Sequence, residues 1–181
     1  MKKFVIIVSI LFFPSMALSA SQAPDILLYE DKVYELFSNP LEFLYAKKGG
    51  RPYFREKPYN YLSSGNWRGY IAFWKIEEDA LYLKGIEAWT ADSKFAKITD
   101  CRKVDIKELF GEKCVEGKVW AVWFTGELRI PEGKIIKYVN LGYDSIYEKD
   151  IILTVEAGKV INKKIIDNTQ NEIPSLIEPE E

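Results

Sequence analysis

The sequence predicts a mainly β fold, α+β with two short helices, arranged as an antiparallel sheet or a partly open β-barrel or sandwich. Three observations lead there. Short runs rich in aromatic and β-branched residues recur along the chain from Ile26 to Ile166. Polar or glycine-bearing turns separate them, among them Glu77 to Ala80, Pro131-Glu132-Gly133 and Ala157-Gly158. Only two short segments carry helix punctuation.

The elements follow in order. Ile26–Tyr29 and Lys32–Phe37 read as two strands about a Glu30-Asp31 turn. Asn39-Pro40-Leu41-Glu42 starts a helix: Asn39 is the cap, Pro40 sits where its missing N–H is harmless, and Glu42 holds the capping-box position. Gly49-Gly50 stops it. Residues 49 to 66 show no clean period and form an unusually long loop, a length that is usually functional or disordered. Trp67–Ile76 and Leu81–Ile86, the latter extending toward Trp89, make a hairpin with bulky apolar groups on both faces. Alternation puts Arg68, Tyr70 and Trp74 on one face and Trp67, Ile71 and Phe73 on the other. Arg68 then needs a partner if it is buried. Asp105–Phe110 is one or two helical turns, stopped by Gly111. Lys118–Phe124, Glu127–Ile130 and Lys134–Asn140 are further strands, and Ile146–Glu156 with Lys159–Ile166 is the last hairpin.

Residues 1–20 read as an export signal. Lys2 and Lys3 precede an apolar run from Phe4 to Phe13, and Ala17-Leu18-Ser19-Ala20 supplies the small residues of a cleavage site. The run is shorter than the roughly 20 residues a membrane span needs. Residues 21–167 are then a single β-rich domain and 168–181 a polar, disordered tail. This organisation predicts a periplasmic or secreted protein with no membrane anchor after signal cleavage. Hydrophobic content of 48% and aromatic content of 14% are too high for a disordered chain. Loss of Lys2 and Lys3 takes the net charge from -2 to -4, which argues against a nucleic-acid partner.

Cys101 and Cys114 are the only cysteines. In an oxidising compartment a disulfide between them is the expectation, closing a loop of about 14 residues worth on the order of 3 kcal/mol. Two free thiols are the alternative. The chain has no histidine. That removes Ser-His-Asp and Cys-His catalysis and the commonest metal ligand. No phosphate-binding, dinucleotide or calcium motif is present, so no cofactor, metal or catalytic residue is expected. Carboxylate catalysis survives as a minor reading, with Glu127, Asp144, Glu148 and Asp150 as acids.

The long loop carries the strongest functional signal. Lys47, Lys48, Arg51, Arg55 and Lys57 are interleaved with Tyr53, Phe54, Tyr59 and Tyr61, against Glu56 alone. Cations alternating with rings suit an acidic protein partner or an anionic glycan. The candidate binding residues are therefore Lys47, Lys48, Arg51, Tyr53, Arg55, Lys57 and Tyr59, with Arg68 added from the hairpin.

Three segments, Leu36-Phe37-Ser38-Asn39-Pro40-Leu41-Glu42, Trp67-Arg68-Gly69-Tyr70 and Tyr147-Glu148-Lys149-Asp150, resemble a family of uncharacterised exported bacterial proteins. The likeness covers most of the chain after residue 20. In that family a cysteine often precedes the Trp-Arg-Gly-Tyr segment; here Asn66 stands there. The resemblance implies a bacterial exported domain and no particular activity. The expectation is a non-enzymatic binding or inhibitor protein of immunity type. The rivals are a carboxylate-based hydrolase of envelope polysaccharide and a glycan-binding module using a coplanar pair among Trp67, Trp74, Trp89, Trp120 and Trp123.

Overall fold

A computed structural model describes residues 21–51, 64–89 and 101–170. The predicted signal segment, the centre of the long loop and most of the tail lie outside them. Among the described residues no helix is long and apolar enough to cross a membrane.

The fold is mainly β, as expected. Ten strands form one mixed, open sheet: β1 (Asp25–Tyr29), β2 (Lys32–Leu36), β3 (Tyr70–Glu77), β4 (Ala80–Trp89), β5 (Cys101–Val104), β6 (Cys114–Val115), β7 (Lys118–Trp120), β8 (Gly126–Lys137), β9 (Ile146–Glu156) and β10 (Lys159–Asp167). The path runs β2-β1-β3-β4-β10-β9-β8, with β5 and β7 beside β4 and β6 beside β7. The sheet is not wholly antiparallel, because β1 lies parallel to β3. Helices α1 (Pro40–Lys47) and α2 (Ile106–Phe110) are the two expected.

The tight hairpins form where the turn residues demanded them. Glu30 and Asp31, then Glu78 and Asp79, then Ala157 and Gly158 all take positive φ, the backbone of a two-residue hairpin turn. Inward positions of the strands make the core. Leu27, Tyr70, Ala72, Trp74, Leu81, Leu83, Leu128, Ile130, Leu153 and Val155 are all buried.

Three element boundaries and the burial of one strand face differ from the sequence reading. The strand expected from Trp67 begins at Tyr70, because Asn66 accepts from Gly69 N–H through both its backbone and its side chain and closes a turn there. On β3 only the Tyr70, Ala72 and Trp74 face is fully buried; Ile71 and Phe73 are half-buried. The strand expected over Lys118–Phe124 stops at Trp120, where Ala121 to Phe124 turns. Pro131-Glu132-Gly133 is not a turn but part of one long strand. Pro131 pairs opposite Asp150, and the register slips after Glu132, so Gly133 and Lys134 form a bulge. A proline is tolerated because β8 is the last strand of the sheet path. A Cβ at Gly133 would meet the Glu148 Cβ at 2.9 Å, so glycine is what lets the bulge lie against β9.

No disulfide is found among the described residues, and Cys114 is a free, half-buried thiol. The side chain of Cys101 lies outside the described residues; the backbone register gives the separation of the two positions. Cys101 pairs with Trp89, whereas Cys114 pairs with Val119, itself paired with Leu83. Those two stations are six positions apart on β4, on the order of 20 Å along a strand. A disulfide needs Cα atoms within about 7 Å.

The sheet stays open, yet its two outer strands touch. Phe37 N–H donates to the Arg129 carbonyl at 2.8 Å. The Ser38 hydroxyl accepts from Arg129 N–H at 3.0 Å and donates to the Glu127 carbonyl at 3.1 Å. This seam between the end of β2 and β8 closes one side of the core.

Candidate functional site

The eight candidate binding residues fall into three groups. Tyr53, Arg55, Lys57 and Tyr59 lie outside the described residues. Lys47, Lys48 and Arg51 stand together at the end of α1. Arg68 is elsewhere in environment: it is fully buried.

Arg68 has the partner that its burial requires. Its Nη1 donates to Asp25 Oδ1 at 2.8 Å, with both side chains removed from solvent. Nη1 also bonds the Asn39 side-chain oxygen, and Nη2 donates to the Ala23 carbonyl at 2.6 Å. Asp25 is held by two more donors, Ala72 N–H at 3.1 Å and Trp74 Nε1–H at 3.0 Å. Burial pushes the Asp25 carboxyl up; the Arg68 charge and these N–H groups oppose it. Burial by itself would lower the Arg68 guanidinium, but Asp25, Tyr143 and Tyr70 keep it above its ordinary value. Arg68 is therefore placed to organise the interior, not to meet a macromolecule.

Around this pair the helix-start residues take unexpected partners. Asn39 precedes α1 but makes no side-chain cap; its oxygen accepts from Arg68 and from the Tyr143 hydroxyl at 3.0 Å. Glu42 does not close a capping box. It accepts from the Tyr70 hydroxyl at 2.6 Å and from Arg51, whose Nε and Nη2 lie 2.7 to 2.9 Å from its oxygens. Burial, with the Asp25 and Glu42 charges, drives the Tyr70 phenol strongly up, so it stays a donor. The three segments quoted for the family resemblance thereby meet in space. Phe37 stacks on Tyr143 at 4.8 Å and meets Tyr147 edge-on at 5.6 Å. Arg129, beside Ser38 on the seam, pairs with Asp150 at 2.8 Å.

The surface group is made by α1 and α2. Lys47 Nζ donates to the Trp123 carbonyl at 3.1 Å. Lys48 Nζ lies 5.9 Å from the Phe110 ring. Arg51 is paired to Glu42 and covers the exposed Trp67 ring at 4.0 Å. Phe110 stacks on Trp123 at 5.7 Å, and Trp123 Nε1–H bonds the Pro40 carbonyl at 3.0 Å, which locks α2 against α1. Leu109 on α2 is exposed at this face, and Phe43 on α1 is exposed and meets Phe124 edge-on. A cavity of about 260 Å³ lies between the two helices.

The acids considered for catalysis are separated in role. Asp150 is committed to Arg129 and to Asn168 Nδ2 at 3.0 Å. Glu148 accepts from Lys134 N–H at 3.0 Å, while Glu127 and Asp144 are exposed. Among the tryptophans, Trp67 and Trp120 are about half exposed, Trp74 is buried, and the Trp89 side chain lies outside the described residues. Among the described residues no cluster of three metal-ligating side chains occurs.

The sequence reading missed Asp25, Tyr143 and the Arg129–Asp150 pair. Asp25 offered a signal, since it is an acid opening the apolar run Ile26-Leu27-Leu28. Its partner Arg68 lies 43 residues away, and nothing in the sequence joins the two. No protein-family model, curated protein or solved structure matches this chain.

Proposed function

We propose that this chain is an exported, non-enzymatic binding protein of inhibitor type, and that its end of α1 meets an acidic partner. The observation that carries this is the charge at the α1 terminus. Lys47 and Lys48 are exposed side by side, and the one nearby acid of α1, Glu42, is occupied by Arg51 and Tyr70. Among the described residues Lys47 and Lys48 make no ion pair, and the exposed side chains of Phe43 and Trp67 belong to the same part of the chain. Such a mixture of charge and aromatic surface suits recognition of carboxylates with water excluded by the rings. An anionic glycan offers the same carboxylates and is the alternative ligand.

Affinity capture from periplasmic extract tests the reading. Wild-type protein and Lys47→Glu/Lys48→Glu are compared, with Lys84→Glu on β4 as a control and circular dichroism to confirm folding. A specific protein retained by wild type and the control, but lost with the double reversal and in high salt, is the expected result. Capture indifferent to the reversal, or no protein captured, overturns it. Retention of polysaccharide instead of protein transfers the reading to the glycan.

A further inference from the structure

We propose that the cavity between α1 and α2 receives a carboxylate carried on a compact apolar group, such as a chain-terminal phenylalanine or leucine presents. The inference rests on the binding reading above and names the chemistry of the partner at that face.

The walls set the ligand. Leu44, Leu109 and Phe110 give apolar sides, and Lys48 and Arg51 give positive charge. At about 260 Å³ the space falls just below the usual range for small-molecule pockets, about 300–1,000 Å³. It therefore suits an amino-acid-sized group. Tyr45 also contributes to the wall, but it is 5% exposed and its hydroxyl oxygen is buried behind that wall.

Charge points the same way. Arg51 is already neutralised by Glu42, whereas Lys48 makes no ion pair among the described residues. The carbonyl end of a helix ordinarily repels anions. Here that end is covered: the Leu44, Tyr45 and Ala46 carbonyls accept from the N–H groups of Lys48, Gly49 and Gly50. An ammonium with no ion pair among the described residues, set on apolar walls, matches one carboxylate and one small hydrophobic group.

The test is a titration of ¹⁵N-labelled protein with N-acetyl-phenylalanine and with its neutral amide. The acid should shift the Gly50, Leu109 and Phe110 amide resonances with a Kd of about 1 mM or better. The amide should bind about tenfold more weakly, as should the acid to Lys48→Met, since a charge-assisted hydrogen bond is lost in each. Equal binding of acid and amide, shifts confined to other regions, or no shifts at about 10 mM overturn the proposal. If the probe fails while charge reversal at Lys47 and Lys48 still abolishes partner capture, only the cleft assignment falls. If the probe binds and capture ignores the reversal, the cleft stands and the acidic-partner reading falls.

Discussion

Replacing Asp25 by asparagine should be among the most damaging single substitutions in this protein. The two side chains have nearly the same shape, so the cost measures charge and hydrogen-bond polarity alone. Oδ1 of Asp25 accepts from Arg68 Nη1 at 2.8 Å and Ala72 N–H at 3.1 Å, and Oδ2 accepts from Trp74 Nε1–H at 3.0 Å. An asparagine has one acceptor oxygen and one NH₂. Turned either way, it sets donors against a donor: against Trp74, or against Arg68 and Ala72 together. It also leaves the Arg68 guanidinium, 1% exposed, without a counter-charge. Breaking one side of a buried ion pair costs about 3–5 kcal/mol, a large share of the roughly 5–15 kcal/mol that holds a domain folded. Urea unfolding followed by far-ultraviolet circular dichroism reads the loss directly. Arg68→Met adds a pH signature. Without the guanidinium, the burial that raises the Asp25 carboxyl is opposed only by the two N–H donors. A carboxyl raised in the folded state favours folding when protonated. Its stabilisation is present below the unfolded value of about 3.9 and is lost as pH rises through the folded value. Arg68→Met should therefore weaken relative to wild type as pH rises above about 4, at up to about 1.4 kcal/mol per pH unit. A loss under about 1 kcal/mol for Asp25→Asn, together with a pH-independent difference for Arg68→Met, would refute the reasoning.

Two further outcomes follow from particular contacts. Gly158→Ala places a Cβ 2.7 Å from the Ala121 carbonyl carbon and oxygen at a residue with φ of +78°; thermal or urea unfolding should show a loss of about 2–5 kcal/mol. Gly117→Ala, at φ of +68° with open space around it, should lose only about 1–2 kcal/mol, and equal losses would remove the steric argument. Separately, the register that parts Cys101 from Cys114 predicts two alkylatable thiols in protein purified without reductant and then denatured. Protection of both thiols under those conditions would show that β5 and β6 come together in a way the register does not allow.

Hairpins and helix positions were largely legible because their causes lie within a few residues. Glu30-Asp31 and Ala157-Gly158 adopt the turns that their neighbours anticipate, and α1 and α2 stop at Gly49-Gly50 and Gly111. Pro131-Glu132-Gly133 shows where that logic fails. The same residues make a turn or a bulge according to whether the strand beyond them finds a partner, and β9 supplies one for the whole length of β8. Asn39 and Glu42 show it again. Their local role is to cap α1, yet Arg68, Tyr143, Tyr70 and Arg51 offer stronger partners from other parts of the chain.

For the candidate site, the residue types were readable and their division was not. Charge counting finds the basic run from Lys47 to Lys57 and adds Arg68 from the hairpin, but it does not decide whether Arg68 is buried. Burial separates them: Lys47 and Lys48 stay in solvent, whereas Arg68 lies inside against Asp25. The second wall of the cleft, Leu109 and Phe110, is some sixty residues away in sequence and shares no pattern with the first.

By itself, then, the sequence determined the mainly β class, the places of the helices and tight hairpins, and the basic character of the segment after α1. Each depends on backbone preferences and charge that act over a few neighbouring residues. The tertiary structure decided the parallel pairing of β1 with β3, the Asp25–Arg68 lock, the seam between β2 and β8, the separation of the two cysteines and the cleft between the helices. Each of these depends on which distant segments come into contact, and on the burial that makes an unpaired polar group too costly to leave.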